Sequence, residues 1–242
     1  KWQPLPYPMQ LEAKRQQVYD QLVRIGHLDV PEIRPTIPSD KTQYYRNKLE
    51  FTFSSKRWLL KGEDLDSVPE NDRMGLGFHV GKFFDKVLDI RHCYLQKDPS
   101  NDIRLFVKKY AVDNGLDFFD IRQNVGYVRN MFVRTTDTGD LMVIMCFFYE
   151  NREDREKMLD AIANAFPQIT SLYYIINNKL NDSIGDQECI LYKGEPTIRE
   201  TMEELTFRIG PKSFYQTNSG QAYKLYSIAR DFAELTGGEI VY

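Results

Sequence analysis

Thiol and imidazole side chains are the groups of this chain whose types could bind a metal or attack a substrate. Cysteine thiolates act as nucleophiles and metal ligands, and histidines act as metal ligands or general bases. The six candidates are Cys93, Cys146, Cys189, His27, His79 and His92. The histidines lack metal-ligand spacing, and no Ser, His and acid constellation can be singled out. Cys146 and Cys189 lie in apolar stretches, which predicts core positions, and the default interpretation of Cys93 is a small buried hydrophobe.

Basic residues alternate with apolar ones between Tyr45 and Phe53. This period of two predicts a half-buried strand, with Arg46, Lys48 and Glu50 on its polar face. Two basic side chains on one sheet face could contact phosphate groups. The alternative is a solvated strand face on which Glu50 neutralises them, and the residues alone do not decide between the two.

Phe214 and Gln216 lie two positions apart, just before a helical stretch. In an extended segment such residues point the same way, which predicts that both face one pocket. A core phenylalanine and a helix-capping glutamine are the alternatives.

Glycines at 75, 77 and 81 bear a partial likeness to a dinucleotide-binding loop. Val80 stands where the third glycine should be and no helix follows, so we expect glycines of a strand and its turns instead. The chain also lacks a phosphate-binding Gly-Lys-Ser or Gly-Lys-Thr sequence.

The elements that position these residues follow from the hydrophobic periodicity. It predicts helices at 9–26, 99–114, around 158–166 and at 218–235, the last capped by Gly237. Strands are expected at 45–53, 75–80, 86–90, 127–134, 141–149, 169–176, 187–193 and 205–209. Short hairpin connections, such as Asp137-Thr138-Gly139, favour an α+β fold with a largely antiparallel sheet and flanking helices.

Charge and composition narrow the class of protein. The chain has 32 Lys and Arg against 35 Asp and Glu, so any RNA contact must be a local patch. No apolar run approaches the ~20 residues of a membrane span, and we expect no membrane and no DNA partner. An odd number of cysteines, three, at wide spacing favours a reducing compartment, which predicts a cytoplasmic protein.

Three short stretches, taken together and in this order, resemble the uracil-5 RNA methyltransferase family, and the resemblance covers nearly the whole chain. They are 45–51 (YRNKLEF), 76–79 (LGFH) running on to 89–95 (DIRHCYL), and 213–218 (SFYQTN). The resemblance implies a helix and proline-rich connector at 1–38, a middle RNA-facing, iron-sulfur-type α+β domain at 39–212, and the first helix of a truncated Rossmann-like domain for S-adenosylmethionine at 213–242.

The family's site residues map onto this chain one by one. The resemblance implies that Gln216 contacts S-adenosylmethionine, that Phe214 lies near the flipped RNA base, and that Arg46 and Lys48 match basic positions that contact RNA. Cys93 matches the fourth ligand of an iron-sulfur cluster whose other three cysteines would precede Lys1. A cluster needs four thiolates, so the chain by itself is expected to be cluster-free.

The family's chemistry is covalent catalysis, in which a cysteine adds to carbon 6 of uracil and carbon 5 then attacks the methyl group. The resemblance implies that this cysteine and the base lie beyond Tyr242, so no catalytic residue is named and the chain alone is expected to be inactive. The His92-Cys93 pair favours the branch that methylates 23S ribosomal RNA. The alternatives are a transfer-RNA uracil-5 methyltransferase and a non-catalytic RNA-binding or interaction module.

Overall fold

The structure is a computed structural model that describes residue 2 and residues 4–241, in two compact units, Lys1–Thr42 and Gln43–Tyr242. In the first unit, helix α1 spans Tyr7–Tyr19 and continues as a π-helical turn over Asp20–Ile25, where sequence predicted one helix. The connector is tied to this helix, because Thr36 Oγ1 donates to the Leu11 carbonyl at 2.9 Å. The predicted division at residues 38 and 212 stays a prediction.

The second unit is built on a seven-stranded sheet with the order β3-β2-β1-β4-β5-β6-β7. The strands are β1 (Lys48–Ser54), β2 (Gly75–Val80), β3 (Phe83–Leu88), β4 (Val128–Thr135), β5 (Leu141–Phe147), β6 (Ser171–Ile176) and β7 (Ile190–Gly194). Every neighbouring pair is antiparallel except β5 and β6. The predicted α+β class with a largely antiparallel sheet is therefore confirmed.

Two helices lie between strands of the sheet in chain order. Helix α2 (Ser100–Asp113) lies between β3 and β4. Helix α3 (Arg152–Ala165) makes the crossover between the parallel strands β5 and β6. A parallel pair needs such a crossover, because a tight turn can only reverse the chain. A separate hairpin, β8 (Ile198–Met202) with β9 (Leu205–Ile209), precedes α4 (Ser219–Ala233). The sequence analysis missed β8.

Strands β4 and β5 are buried on both faces. On one face, Met131 and Val133 join a core with α2 and α3. On the other face, Phe132 and Ile144 join a smaller core that includes Ile198 and Ile209 of the β8–β9 hairpin. Burying one such side chain contributes about 1.5–3 kcal/mol, so both layers stabilise the centre of the sheet. The continuous apolar run at 141–149 reflects this two-sided burial.

The last helix departs from prediction at its end. The helix begins after the N-cap residue Asn218, whose side-chain Oδ1 accepts a hydrogen bond from Gln221 N at 3.1 Å. Glu234 in the left-handed region ends the helix, so Gly237 is not the C-cap. Apolar residues recur at helical spacing in this segment. Of them Ala222 is buried, whereas Leu225, Phe232 and Leu235 are exposed. Within the described residues, no helix combines the length and the apolar character that crossing a membrane requires.

Candidate functional site

The β9–α4 linker, residues 210–218, lies against the start of β1 and the end of β4. Asn47 holds it with three hydrogen bonds: Nδ2 donates to the Gln216 carbonyl and to Ser219 Oγ, and the backbone N donates to the Thr217 carbonyl, each at 2.8 Å. The Asn47 carbonyl accepts from Thr135 N at 2.9 Å, which fastens the same residue to the sheet. Asn47 therefore joins the linker to β4.

Arg134, at the end of β4, is the second side chain that holds the linker. Its Nη2 donates to the Ser213 carbonyl at 2.6 Å, and the residue is 4% exposed. Burial lowers the pKa of its guanidinium. A pocket of about 10 Å³, room for roughly one water, is lined by Asn47, Lys48, Arg134, Thr135, Ile198, Ile209 and Tyr215. Two buried polar atoms of these lining residues, Arg134 Nε and the Tyr215 hydroxyl, have no hydrogen-bond partner among the described residues.

Exposure differs along the linker. Tyr215 packs against the smaller core and its ring lies 5.7 Å from that of Phe207. Phe214 is 86% exposed, and Gln216 is half-buried. The side-chain amide of Gln216 makes no hydrogen bond to any residue that the structure describes; its backbone carbonyl is the bonded group. Phe214 and Gln216 thus flank an anchored tyrosine, and neither lines the small pocket beneath it.

Lys48 and Arg46 are placed differently from the prediction that both lie on one strand face. Strand β1 begins at Lys48, so Arg46 precedes it, and the Arg46 Nε donates to the Lys48 carbonyl at 3.4 Å. Lys48 pairs across the sheet with Arg134. Partial burial, and then the Arg134 charge, lower the pKa of the Lys48 amine. The sheet thus brings a second cation beside Lys48, which the sequence analysis did not identify.

The three cysteines do not converge. Cys93 lies in the loop between β3 and α2, buried in the larger core, and Asn101 brackets its backbone: Oδ1 accepts from Cys93 N at 2.7 Å and Nδ2 donates to its carbonyl at 3.3 Å. Cys146 belongs to the smaller core on the opposite face, and Cys189 packs against it. The core prediction for Cys146 is confirmed. Burial raises the pKa of both Cys146 and Cys189, which disfavours the nucleophilic thiolate.

An iron-sulfur cluster does not fit the residues present. Across the described part of the chain, no group of three or more His, Cys, Asp or Glu side chains could hold a metal ion. Cys93 offers one thiol where a cluster needs four.

The glycines at 75, 77 and 81 belong to a strand and its turn, as predicted. Gly75 and Gly77 lie in β2, and Gly81 lies in the turn that follows.

Comparison with known proteins shows which sequences the chain is similar to. No family model matches the chain. The chain is 56% identical to an "uncharacterized RNA methyltransferase" of Porphyromonas gingivalis. The alignment covers the whole chain and 53% of that relative. A protein of that name from Bacteroides thetaiotaomicron is 51% identical, over the whole chain and 54% of the relative. The chain is thus similar to about half of two proteins that carry the name RNA methyltransferase.

A solved structure extends this relationship to the fold. Pyrococcus abyssi tRNA (uracil-54, C5)-methyltransferase, in complex with S-adenosyl-L-homocysteine, matches with a TM-score of 0.67 and 27% identity. The match covers 97% of this chain and 49% of that one. The chain thus spans about half the length of the curated relatives and of the solved structure that it matches.

Proposed function

We propose that the protein containing this chain transfers a methyl group from S-adenosylmethionine to carbon 5 of a uridine in 23S ribosomal RNA. The observation that carries the uracil-5 reaction is the match, over 97% of the chain, to a tRNA (uracil-54, C5)-methyltransferase. The choice of ribosomal RNA rests on the His92-Cys93 resemblance. The same solved structure favours transfer RNA as the second candidate substrate.

In this proposal the chain binds and orients, and no catalytic residue is assigned within it. S-adenosylmethionine supplies an electrophilic methyl group when bound. The Gln216 amide offers both a donor and an acceptor for the cofactor, since its only described bond uses the backbone. The exposed Phe214 ring offers a face on which a flipped base can stack.

The cations and cysteines complete the proposal. Arg46 and Lys48 contact RNA phosphates, with Arg134 adding charge beside Lys48. Cys93 serves as a cluster ligand only if three further thiolates come from outside this chain. The described cysteines are free, which agrees with the reducing cytoplasm as the proposed location.

The reaction is tested by tritium release. Methylation at carbon 5 displaces the hydrogen there, so RNA made with tritium at carbon 5 of uridine releases label in proportion to turnover. We expect release from 23S ribosomal transcripts when the protein containing this chain and S-adenosylmethionine are present, and none from the 242-residue chain alone.

Each other result has a defined meaning. Release only from transfer-RNA transcripts establishes the second candidate. Methyl incorporation without tritium release contradicts the uracil-5 reaction. RNA binding without methylation of either RNA by the protein containing this chain identifies a non-catalytic module.

A further inference from the structure

Three aromatic side chains gather on the surface beside Arg46 and form a ring cluster, defined as Tyr44, His92 and Tyr94. The Tyr44 and His92 rings meet edge to face at 6.0 Å, and those of His92 and Tyr94 at 4.5 Å. Tyr44 is 37% exposed and Tyr94 55%. Aromatic side chains usually bury their area, so an open cluster of three indicates a surface that meets a partner.

The backbone holds this cluster in a fixed arrangement. Tyr44 N donates to the Tyr94 carbonyl at 2.7 Å, and Arg46 N donates to the Leu95 carbonyl at 2.8 Å. The Tyr44 hydroxyl and His92 Nε2 share a hydrogen bond of 2.8 Å. Tyr44 also has a φ of 53°, which is strained for a bulky side chain. Such strain persists only where the surroundings impose it, and it concentrates at ligand sites.

Two arginines lie near the ring residues along the chain. Arg46 follows Tyr44 by two residues, and the exposed Arg91 precedes His92. Exposed rings close in the chain to arginines suit an unpaired nucleotide, whose base stacks and whose phosphate carries negative charge. A paired base is already stacked in its helix and offers no free face to the cluster.

We propose that the ring cluster of Tyr44, His92 and Tyr94 binds an unpaired base of the RNA substrate, with Arg46 contacting the adjoining phosphate. This site is separate from the flipped-base position assigned to Phe214. It rests on the proposed function only in taking RNA as the partner.

The test is the affinity of the protein for a short single-stranded RNA that contains 2-aminopurine, and for the same RNA annealed to its complement. Tyr94→Leu removes an exposed ring at a position without backbone strain. We expect it to weaken single-strand binding roughly tenfold, the loss of one base–aromatic stack, and to leave duplex binding unchanged. Tyr94→Phe keeps the ring and should retain wild-type affinity.

Tyr149→Leu is the matched control, since Tyr149 is a similarly exposed tyrosine elsewhere in the unit. It should leave both affinities unchanged. The proposal is overturned if the protein does not bind the single strand, if Tyr94→Leu binds it as tightly as wild type, or if Tyr94→Leu weakens both RNAs equally. Methyl transfer by the wild-type protein is measured separately. Methylation of uridine together with any of these three binding results contradicts the ring-cluster proposal alone. Intact single-strand selectivity without methylation contradicts only the proposed reaction.

Discussion

At the scale of single residues, Asn47 has the most consequential position. It sits between the two cations proposed to contact RNA, and its side chain bonds the linker that carries Phe214 and Gln216. Asn47 is half-buried, and a hydrogen bond of this kind contributes about 1 kcal/mol. Asn47 therefore sets the position of the linker that carries the proposed cofactor-contacting residue.

Asn47→Ala is expected to loosen the linker locally. It removes both side-chain bonds but keeps the backbone bond to Thr217, so amide exchange at 213–218 should accelerate while exchange in β5 stays unchanged. Hydrogen exchange read by mass spectrometry measures this. Asn114→Ala, which removes one exposed amide bond at the end of α2, is the control. Unaltered exchange at 213–218 would show that Asn47 does not hold the linker.

At the scale of elements, the β2–β3 hairpin shows how a glycine is required by packing. A Cβ on Gly77 would lie 2.0 Å from the Leu88 carbonyl oxygen in β3, whereas one on Gly81 would meet nothing within 4 Å. The two glycines share one hairpin but differ in their surroundings. Only Gly77 lets the two strands approach.

Gly77→Ala should therefore lower the free energy of unfolding by about 1–3 kcal/mol, since the backbone of β3 must shift. Gly81→Ala should change it by less than about 0.5 kcal/mol, as surface substitutions do. Urea unfolding of both variants measures the difference. Equal effects would mean that the hairpin tolerates a side chain at Gly77 by moving freely.

At the scale of the whole molecule, the net charge of -3 offers no general attraction for RNA. RNA binding must then depend on a few cations. The slope of log affinity against log salt concentration measures how many of them contact phosphates. Replacing Arg46 and Lys48 together by Ala should reduce the slope of log affinity against log salt by roughly 1 to 2. RNA titrations at several salt concentrations give the slope.

The control for this experiment is a pair of exposed cations on the helices. Lys109 pairs with Asp113 and Arg152 with Glu156, so their charges are already matched. Replacing both by Ala should leave the slope unchanged. If the control lowers it as much as the Arg46 and Lys48 variant, RNA is bound diffusely rather than at the proposed patch.

Local periodicity determined much of the fold. Alternation in β1 predicted that Leu49, Phe51 and Phe53 are buried, and they are. It also predicted α2 ending before Gly115, which has a φ of 65°. These features are local, because each residue's neighbours two to four positions away carry the signal. The family resemblance likewise came from short stretches, and the relatives that the chain matches carry the name RNA methyltransferase.

Tertiary structure alone decided how these pieces meet. The alternating pattern predicts only that Asn47 is one residue of a strand. In the structure, its side chain donates a hydrogen bond to the carbonyl of Gln216, 169 positions away. Arg134 faces Lys48 only because β1 and β4 pair in one register. In the ring cluster, Tyr44 contacts His92, which lies 48 positions later in the chain. Sequence by itself determined which segments form strands and helices, while the partners of each side chain depended on chain segments that only folding brings together.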